Sequence, residues 1–474
     1  MKIFNNLQEI KQYLHKGEIT LPDLLNFYLN NIEQNKHLNA FLEVYADEAK
    51  EKAKHIQQKI ENNHAGKLAG LVIGLKDNIC YKNHKVSASS KILEGFTSLY
   101  SATVVERLLA EDAIIIGRLN CDEFAMGASN ENSAYGPVLN AADNTRVSGG
   151  SSGGAAVAVQ ANLCHATLGS DTGGSIRQPA SFTGNFGLKP TYGRVSRWGL
   201  IAYASSFDII GPITKSAYDM QLIMEVIAGQ CEHDATSSSK PVDAYTNTNI
   251  AGKKFRIAYL EETLTSEGIE NEVKNVTLKA IEALKVLGHV VEPVSFNLLP
   301  YLIPIYYTLT TAEASSNLSR FAGMHYGYRS KNAKDLESTI RLSRTEGFGP
   351  EVKRRIMLGT FVLSAGYYDA YYNKAQKVRR LVQQKTEEIF KHYDFILSPT
   401  SPTVAFKFGE KANNPLAMYL ADIFTVHANI SGNPAISIPN GVGKDNMPIG
   451  LQLMAKPFEE AELMKIAEVL HQNL

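Results

Sequence analysis

Two serines in glycine-rich turns are the residues best suited to carry chemistry. Ser151 lies inside the run GGSSGG at 149–154, and Ser175 follows 24 positions later, directly after Gly173 and Gly174. Glycines beside a serine allow positive φ angles and let backbone N–H groups come close to a ligand. Successive N–H groups in such a turn attract negative charge. A serine in this setting is therefore a candidate acyl-transfer nucleophile whose own turn would hold the oxyanion.

The GGSSGG run also has simpler interpretations. Glycine–serine runs are most often plain loops. A phosphate-binding loop is not supported, because the patterns G-x-x-x-x-G-K-[ST] and G-x-G-x-x-G do not occur in the sequence. Residues 149–153 match the G-x-S-x-G nucleophile elbow of α/β-hydrolases, but that motif requires a strand immediately before it. The preceding segment, 140–146, is polar and turn-like, so the context argues against an elbow.

A serine hydroxyl also needs a base to take its proton. His165 is the only histidine between residues 85 and 230, whereas Lys76 ends the apolar run at 71–75. Burial at the end of a strand would favour the neutral amine of Lys76 and lower its pKa. For one lysine alone, a solvated strand end is the simpler interpretation. Lys76 becomes the candidate base when it is taken together with the two serine turns.

Short apolar runs alternating with amphipathic stretches predict an α/β fold around these residues. The first sixty residues are helical in pattern, and Thr20 with Asp23 has the spacing of a capping box. The predicted strands lie near residues 71–75, 113–116, 255–259, 290–291, 395–397, 435–438 and 449–454.

The segment 140–215 is rich in glycine and serine, but apolar runs and charged residues interrupt it, which is not typical of a flexible linker. The sequence shows no internal repeat and no clear boundary. We therefore expect a single domain over 1–474, with a helical part at 1–60, a core at 66–215 and a helical insert at 300–392.

The composition excludes several classes of protein. The 474 residues are 44% hydrophobic and 20% charged, which does not fit a disordered, collagen-like or disulfide-framed chain. Lys plus Arg and Asp plus Glu both number 48, so the chain lacks the basic excess of a protein that itself holds nucleic acid. The four cysteines have no metal-finger spacing. Without a signal peptide or an 18-residue apolar run, we expect a cytoplasmic protein with no membrane contact.

Three segments in this order and spacing resemble the amidase signature family: 74–78 (GLKDN), the GGSSGG run, and 171–177 (DTGGSIR). The match continues through 187–196 and on to the C-terminus, so it covers nearly the whole chain. The resemblance implies a single large α/β/α domain with a mixed central sheet covered by helices.

The resemblance also implies a Ser–cis-Ser–Lys triad. In that triad Ser175 is the nucleophile, Ser151 is the bridging serine after a cis peptide, and Lys76 is the base. The family's oxyanion hole maps onto the backbone N–H groups of Thr172, Gly173, Gly174 and Ser175. No metal ligand is implied.

Five further stretches resemble the glutaminase subunits of tRNA-dependent amidotransferases within this family. They are 122–127, 313–321, 349–355, 367–372 and 418–423. This resemblance implies that Arg355 holds the α-carboxylate of glutamine and Asp422 its α-ammonium, with Tyr306 alongside. A planar guanidinium suits a carboxylate, and the neighbouring Arg354 is the alternative. The insert at 300–392 would shape this glutamine pocket.

The activity implied by the resemblance is hydrolysis of glutamine to supply ammonia. Partner subunits B and C of a heterotrimer would use ATP and Mg to amidate misacylated Glu-tRNA(Gln), Asp-tRNA(Asn) or both, and this chain would need no cofactor of its own. A free-standing amidase acting on another small amide is the first alternative. A catalytically inactive scaffold protein is the second.

Overall fold

The computed structural model describes residues 2–411 and 414–474, and one mixed sheet of eleven strands crosses this part of the chain. The strands are β1 (Phe41–Val44), β2 (Val72–Lys76), β3 (Ile114–Leu119), β4 (Ala166–Asp171), β5 (Phe186–Lys189), β6 (Ile209–Thr214), β7 (Arg256–Leu260), β8 (Val290–Val294), β9 (Phe395–Pro399), β10 (Ala435–Val442) and β11 (Pro448–Ala455). Their order across the sheet is β1-β3-β2-β4-β6-β5-β10-β11-β9-β7-β8.

The strand directions make the sheet mixed, as predicted. β2 runs parallel to β3 and β4, and β7 runs parallel to β8 and β9. The other adjacent strands are antiparallel, with β6, β5, β10 and β11 in the middle of the sheet. The parallel pair β2–β4 is the one that positions the predicted chemistry, because Lys76 ends β2 and Asp171 ends β4.

Sixteen α-helices surround the sheet in the described parts of the chain. They are α1 (Leu7–His15), α2 (Leu21–Gln34), α3 (Ala46–Glu61), α4 (Thr103–Ala110), α5 (Gly153–Gln160), α6 (Arg177–Thr183), α7 (Ala217–Ile227), α8 (Glu261–Thr265), α9 (Asn271–Val286), α10 (Leu299–Asn317), α11 (Leu336–Gly347), α12 (Pro350–Val362), α13 (Lys374–Phe390), α14 (Pro415–Leu420), α15 (Val426–Ser431) and α16 (Glu460–His471). Among residues 2–411 and 414–474, no helix combines the length and apolar character that a membrane crossing requires.

Helices cover both faces of the sheet, so the molecule has three layers. Successive side chains of a strand point to opposite faces. In β9, Phe395 and Leu397 therefore enter a core shared with α2, α7 and α16, whereas Ile396 enters a core shared with α10, α13 and α15. This arrangement confirms the predicted α/β/α domain with a mixed sheet.

The N-terminal segment agrees with its predicted helices but also contains a strand. Thr20 caps α2, because its Oγ1 accepts the Asp23 N–H at 3.2 Å and the Asp23 side chain accepts the Thr20 N–H. The prediction of a wholly helical 1–60 was wrong at β1, which pairs with β3 at the edge of the sheet. Its four residues are only partly buried and are too few for a period-two pattern to stand out.

A buried aspartate ties this N-terminal segment to the sheet. Asp219, near the start of α7, accepts the Leu7 N–H at 2.7 Å and a contact from His165 Nε2 at 2.8 Å. The Asp219 and His165 side chains are each about 1% exposed, so water does not replace these bonds when the carboxylate is removed. A buried donor that loses its acceptor costs its full desolvation penalty.

We expect Asp219→Ala to lower the free energy of unfolding by about 2–4 kcal/mol, because it leaves the Leu7 amide and His165 without their acceptor. Urea unfolding followed by far-UV circular dichroism measures this change. Asp243→Ala is the matched control, since Asp243 is exposed and the change should stay within about 0.5 kcal/mol. Equal unfolding midpoints for the two variants would contradict the assigned role of Asp219.

Candidate active site

The Lys76 amine lies in a buried nest of serine hydroxyls. Its Nζ lies 2.6 Å from Ser151 Oγ, 2.9 Å from Ser152 Oγ and 3.0 Å from Ser170 Oγ. In the described residues no carboxylate lies within ion-pair distance of this amine. Burial without such a partner lowers the pKa of Lys76 to about 8. A substantial fraction of the amine is therefore neutral near physiological pH and able to accept a proton.

The two glycine-rich turns contact each other beside this amine. The Gly150–Ser151 peptide is cis, as the family resemblance implied, and Ser151 is fully buried just before α5. The Ser152 N–H donates to the Ser175 carbonyl at 3.1 Å. Position 150 requires glycine, because a Cβ there would lie 2.0 Å from Asp122 Oδ2. The fold thus brings Lys76 into contact with Ser151. It also joins the turn of Ser175 to Ser152, the residue that follows Ser151.

A buried ion pair holds the turn that carries Ser175. Asp171 accepts the N–H groups of Gly174 at 2.9 Å and Ile176 at 3.2 Å, and both Nε and Nη2 of Arg177 at 3.0 Å. Although burial alone would raise the pKa of Asp171, the Arg177 guanidinium lowers it to about 2. The carboxylate therefore stays charged and keeps the turn closed.

Arg177 also joins this turn to distant parts of the sheet and helices. Its Nη1 donates to the Thr425 carbonyl at 2.9 Å and to Gln452 Oε1 at 2.6 Å, and its Nη2 donates to Asn429 Oδ1 at 2.7 Å. Together with the two bonds to Asp171, these contacts use all five guanidinium N–H groups. The guanidinium is fully buried and uses all of its donors. It therefore holds the turn against Thr425, Asn429 and Gln452.

The predicted oxyanion donors are not equivalent in the structure. Among the described residues, no acceptor is bonded to the backbone N–H groups of Thr172, Gly173 and Ser175. The Gly174 N–H is different, because it already donates to Asp171 Oδ1 at 2.9 Å. The Gly174 N–H thus closes the turn in the free protein, and its place among the four oxyanion donors that the resemblance implies stays a prediction. The other three amides remain available to a developing negative charge.

The three predicted glutamine contacts lie on the side of this turn formed by α10, α12 and the segment after α14. Tyr306 packs so closely on the turn that a Cβ at Gly173 would lie 2.5 Å from its Oη. Asp422 is buried, and its Oδ1 has no hydrogen-bond partner in the described residues. Burial raises the pKa of Asp422 well above its usual range, although the Arg355 charge acts against this shift. Asp422 is thus a buried acid with one oxygen that a cationic group could satisfy.

Arg355 is enclosed by aromatic rings and one carboxylate. Its guanidinium carbon lies 5.1 to 5.6 Å from three tyrosine ring centroids, those of Tyr203, Tyr307 and Tyr419. Its Nε donates to Glu351 Oε1 at 2.8 Å and its Nη1 donates to Tyr203 Oη at 3.0 Å. These contacts fix the plane of the guanidinium, and in the described residues its Nη2 donates to no partner.

The sequence reasoning missed the residues that surround Arg355. The only local signal was the spacing of Glu351 and Arg355, four positions apart and hence neighbours on a helix face. Tyr203 comes from a different part of the chain, and nothing in its local sequence distinguishes it. The arginine that was left open as the alternative, Arg354, projects to the exposed side of α12 with 53% of its side chain accessible.

A cavity of about 180 Å³ opens next to Arg355. Its walls come from residues 127–132, the first two turns of α12, Lys411 and the stretch 415–419. Ser129 contributes a buried hydroxyl that has no partner among the described residues. A small polar molecule entering here would meet a fixed cation on one wall and an unpaired hydroxyl on another.

Comparison with known proteins identifies the family. The family model described as amidase matches residues 23–464. The chain belongs to the amidase family. This confirms the resemblance drawn from the glycine-rich segments, and it agrees with the buried lysine and serines found at the centre of the structure.

The similar proteins with curated names are more specific. The chain is 49% identical over 470 residues to the A subunit of glutamyl-tRNA(Gln) amidotransferase from Chlorobaculum tepidum, covering 98% of each chain. It is 51% identical over 453 residues to the protein of the same name from Koribacter versatilis, covering 95% of this chain and 94% of that one.

Solved structures extend this similarity to the fold. The crystal structure of the glutamyl-tRNA(Gln) amidotransferase A subunit from Thermotoga maritima matches with a TM-score of 0.78 and 39% identity, covering 97% of this chain and 95% of that one. The peptide amidase of Stenotrophomonas maltophilia matches with a TM-score of 0.81 and 27% identity, covering 97% and 95%.

We expect Arg177→Lys to lower the free energy of unfolding by about 3–5 kcal/mol, because a lysine cannot fill five fixed acceptor positions and leaves part of Asp171 unpaired. Thermal and urea unfolding measure the loss. Arg380→Lys is the matched control on an exposed helix face, where little change is expected. A stable Arg177→Lys protein would show that the ion pair does not hold the turn.

Proposed function

We propose that this chain is the glutamine-hydrolysing A subunit of a tRNA-dependent amidotransferase. The observation that carries the proposal is that a buried guanidinium, that of Arg355, and a buried acid with an unpaired oxygen, Asp422, both lie beside the turn of Ser175. Amidases of many kinds use a lysine and two serines, so the triad alone does not define a substrate. A guanidinium and an acid that would ionise when it meets an ammonium group suit a free amino acid, which carries one charge of each sign.

In the proposed reaction the neutral Lys76 amine takes a proton from Ser151, which takes a proton from Ser175. The Ser175 Oγ then attacks the side-chain amide carbon of glutamine. The resulting oxyanion is stabilised by the free amides of Thr172, Gly173 and Ser175. The proton returns through Ser151 to the amide nitrogen, the carbon–nitrogen bond breaks, and ammonia leaves. Water then attacks the γ-glutamyl ester, releasing glutamate and restoring Ser175.

The same contacts explain how glutamine would be oriented. Glu351 and the tyrosine rings fix the guanidinium of Arg355, whose remaining N–H groups would bind the α-carboxylate. Asp422 would bind the α-ammonium, which satisfies the oxygen that is unpaired in the free protein. We assign the carboxylate to Arg355 rather than Arg354, because only Arg355 is buried. Tyr306 packs between this region and the oxyanion turn.

The ammonia would pass to partner subunits that amidate misacylated tRNA. The relatives named above are subunits of an amidotransferase, which supports membership of a multi-subunit complex. We propose that subunits B and C complete a heterotrimer, that ATP and Mg are used in the partner, and that Glu-tRNA(Gln), Asp-tRNA(Asn) or both are the acceptors. The neutral overall charge of this chain fits tRNA binding elsewhere in the complex. The cytoplasm, where tRNA is aminoacylated, is the proposed compartment.

A free-standing amidase is the competing proposal, because the fold is shared with the peptide amidase named above. Ammonia release from glutamine, acetamide and longer acyl amides separates the two. Hydrolysis confined to glutamine supports the glutaminase. Equal hydrolysis of simple amides with and without partner subunits would support the free amidase.

We expect Ser175→Ala to abolish glutamine-dependent amidation of tRNA while amidation from free ammonium continues, because the nucleophile acts only in releasing ammonia. The reconstituted complex is assayed with each nitrogen donor in turn. Ser319→Ala is the control, an exposed serine in the same chain. Loss of both activities in Ser175→Ala would point to misfolding or to a different role.

We expect Lys76→Arg to be nearly as inactive as Lys76→Ala, because an arginine cannot give up its proton at accessible pH. In the wild-type chain, kcat/KM for glutamine should rise about tenfold per pH unit up to about pH 8 and then level off, since the neutral amine is the active form. Both predictions are checked by measuring glutamine hydrolysis at fixed time points, for the two Lys76 variants and for the wild-type chain at each pH. Substantial turnover by Lys76→Arg would remove Lys76 from the role of base.

A further inference from the structure

A strip of large apolar side chains lies exposed on α12 and the segment that follows it. We call it the aromatic strip, and its members are Met357, Leu358, Phe361, Leu363, Tyr367, Tyr368 and Tyr371. Each is between 36% and 72% exposed. Part of the strip is the stretch 367–372, YYDAYY, which neither the triad nor the glutamine contacts explain.

The side chains of the strip are ordered by contacts with one another. The Phe361 ring centroid lies 4.4 Å from that of Tyr367 and 5.7 Å from that of Tyr371. Tyr368 stacks on Tyr372 at 5.1 Å, and a single π-helical turn at Asp369–Asn373 leads into α13. These contacts order the rings of Phe361, Tyr367 and Tyr371 against one another in the free chain.

The size of the strip fits a protein interface. The largest apolar patch on a typical soluble monomer is about 300–600 Å², and a patch at the upper end of that range is often functional. Together the seven side chains expose on the order of 600 Å², and a stable interface typically buries ~800 Å² per partner. The composition also fits, since tyrosine, phenylalanine and methionine are the apolar residues enriched in interface centres.

Three members of the strip, Met357, Leu358 and Phe361, lie on the helix that carries Arg355 of the proposed glutamine site. The buried face of α12 carries Val352, Arg355 and Gly359, while the outward face carries Met357 and Phe361. Across the cavity next to Arg355, α14 exposes two further apolar side chains, Leu416 at 61% and Leu420 at 40%. A partner seated on the strip would therefore lie next to the mouth of this cavity.

The charges around the strip indicate the chemistry of that partner. Residues 350–380 contain seven Lys and Arg against two Asp and Glu, a net charge of +5, whereas the whole chain has 48 of each sign. In the sequence, Arg354 precedes the strip and Lys374, Lys377 and Arg380 follow it, and all four are exposed. The complementary surface has an apolar centre and an acidic rim.

We propose that the aromatic strip is the docking surface for the ammonia-accepting subunit of the amidotransferase, which would meet it with an apolar centre and an acidic rim. This inference rests on the proposed function. Ammonia released into water is protonated to ammonium, which is not a nucleophile. A subunit docked beside the cavity mouth would receive ammonia before it meets bulk water.

The test compares charge substitutions on the strip with the same substitution elsewhere. The strip variants are Phe361→Glu, Tyr371→Glu and Tyr371→Lys. Val286→Glu is the control, because Val286 is a helical apolar residue that is 86% exposed outside the strip. Binding of each purified full-length variant to the organism's own subunits B and C is measured by biolayer interferometry. Thermal unfolding of each variant checks that it folds like the control.

We expect Phe361→Glu and Tyr371→Glu to weaken binding at least about 100-fold, as for central residues of an interface, and Val286→Glu to leave it unchanged. Tyr371→Lys should weaken binding less than Tyr371→Glu, because the lysine faces an acidic rim. Glutamine hydrolysis by the isolated variants, measured against the isolated wild-type chain, should not change, since none of these side chains belongs to the proposed site.

Three outcomes would overturn the docking proposal. If the wild-type chain binds the subunits and the strip variants bind equally well, the surface is wrong while the proposed function stands. If the wild-type chain hydrolyses glutamine but binds neither subunit, the proposed function and the docking surface are both wrong. If light scattering shows a wild-type homodimer that Phe361→Glu converts to a monomer, a second copy of this chain covers the strip.

Discussion

The buried ion pair between Asp171 and Arg177 is the interaction on which the rest of the site depends. Neither charge reaches water, so each can remain only because its partners are complete. The pair closes the turn that carries Ser175, and through Arg177 it also reaches Thr425 and Gln452, which come from the other half of the chain. The positions of the proposed nucleophile and of the free amides therefore follow from the packing of the whole sheet.

The proposed base follows the opposite electrostatic rule. Lys76 is buried as deeply as Arg177, but its hydrogen-bond partners are hydroxyls and no carboxylate in the described residues pairs with it, so burial lowers its pKa to about 8 and makes the neutral form accessible. Arg177 keeps its charge because Asp171 lies beside it. Two buried basic side chains, one at the end of β2 and one at the start of α6, thus differ in charge state because the fold places an anion in contact with only one of them.

The two faces of α12 also carry side chains with different proposed roles. On α12, one face fixes Arg355 between Glu351 and tyrosine rings, and the other exposes the first three members of the aromatic strip. A helix is well suited to this, because side chains three and four positions apart share a face while their neighbours point away. The proposed glutamine contact and the proposed docking surface therefore share one helix.

Features that depend only on the order of neighbouring residues along the chain could be predicted from the amino-acid sequence. The glycine-rich segments, their spacing and the apolar run before Lys76 were enough to indicate the family, and alternating apolar runs located most of the strands. They did not reveal β1, because a four-residue edge strand has too short a pattern, nor β4, β5 and β6, whose residues lie among glycines and turns. Only the folded chain shows that the Gly174 amide is engaged by Asp171, that Arg355 rather than Arg354 is buried, and that Tyr203 reaches the guanidinium. These features join residues that are distant in the chain, or depend on which side of a helix faces the core, and no local pattern encodes such relations.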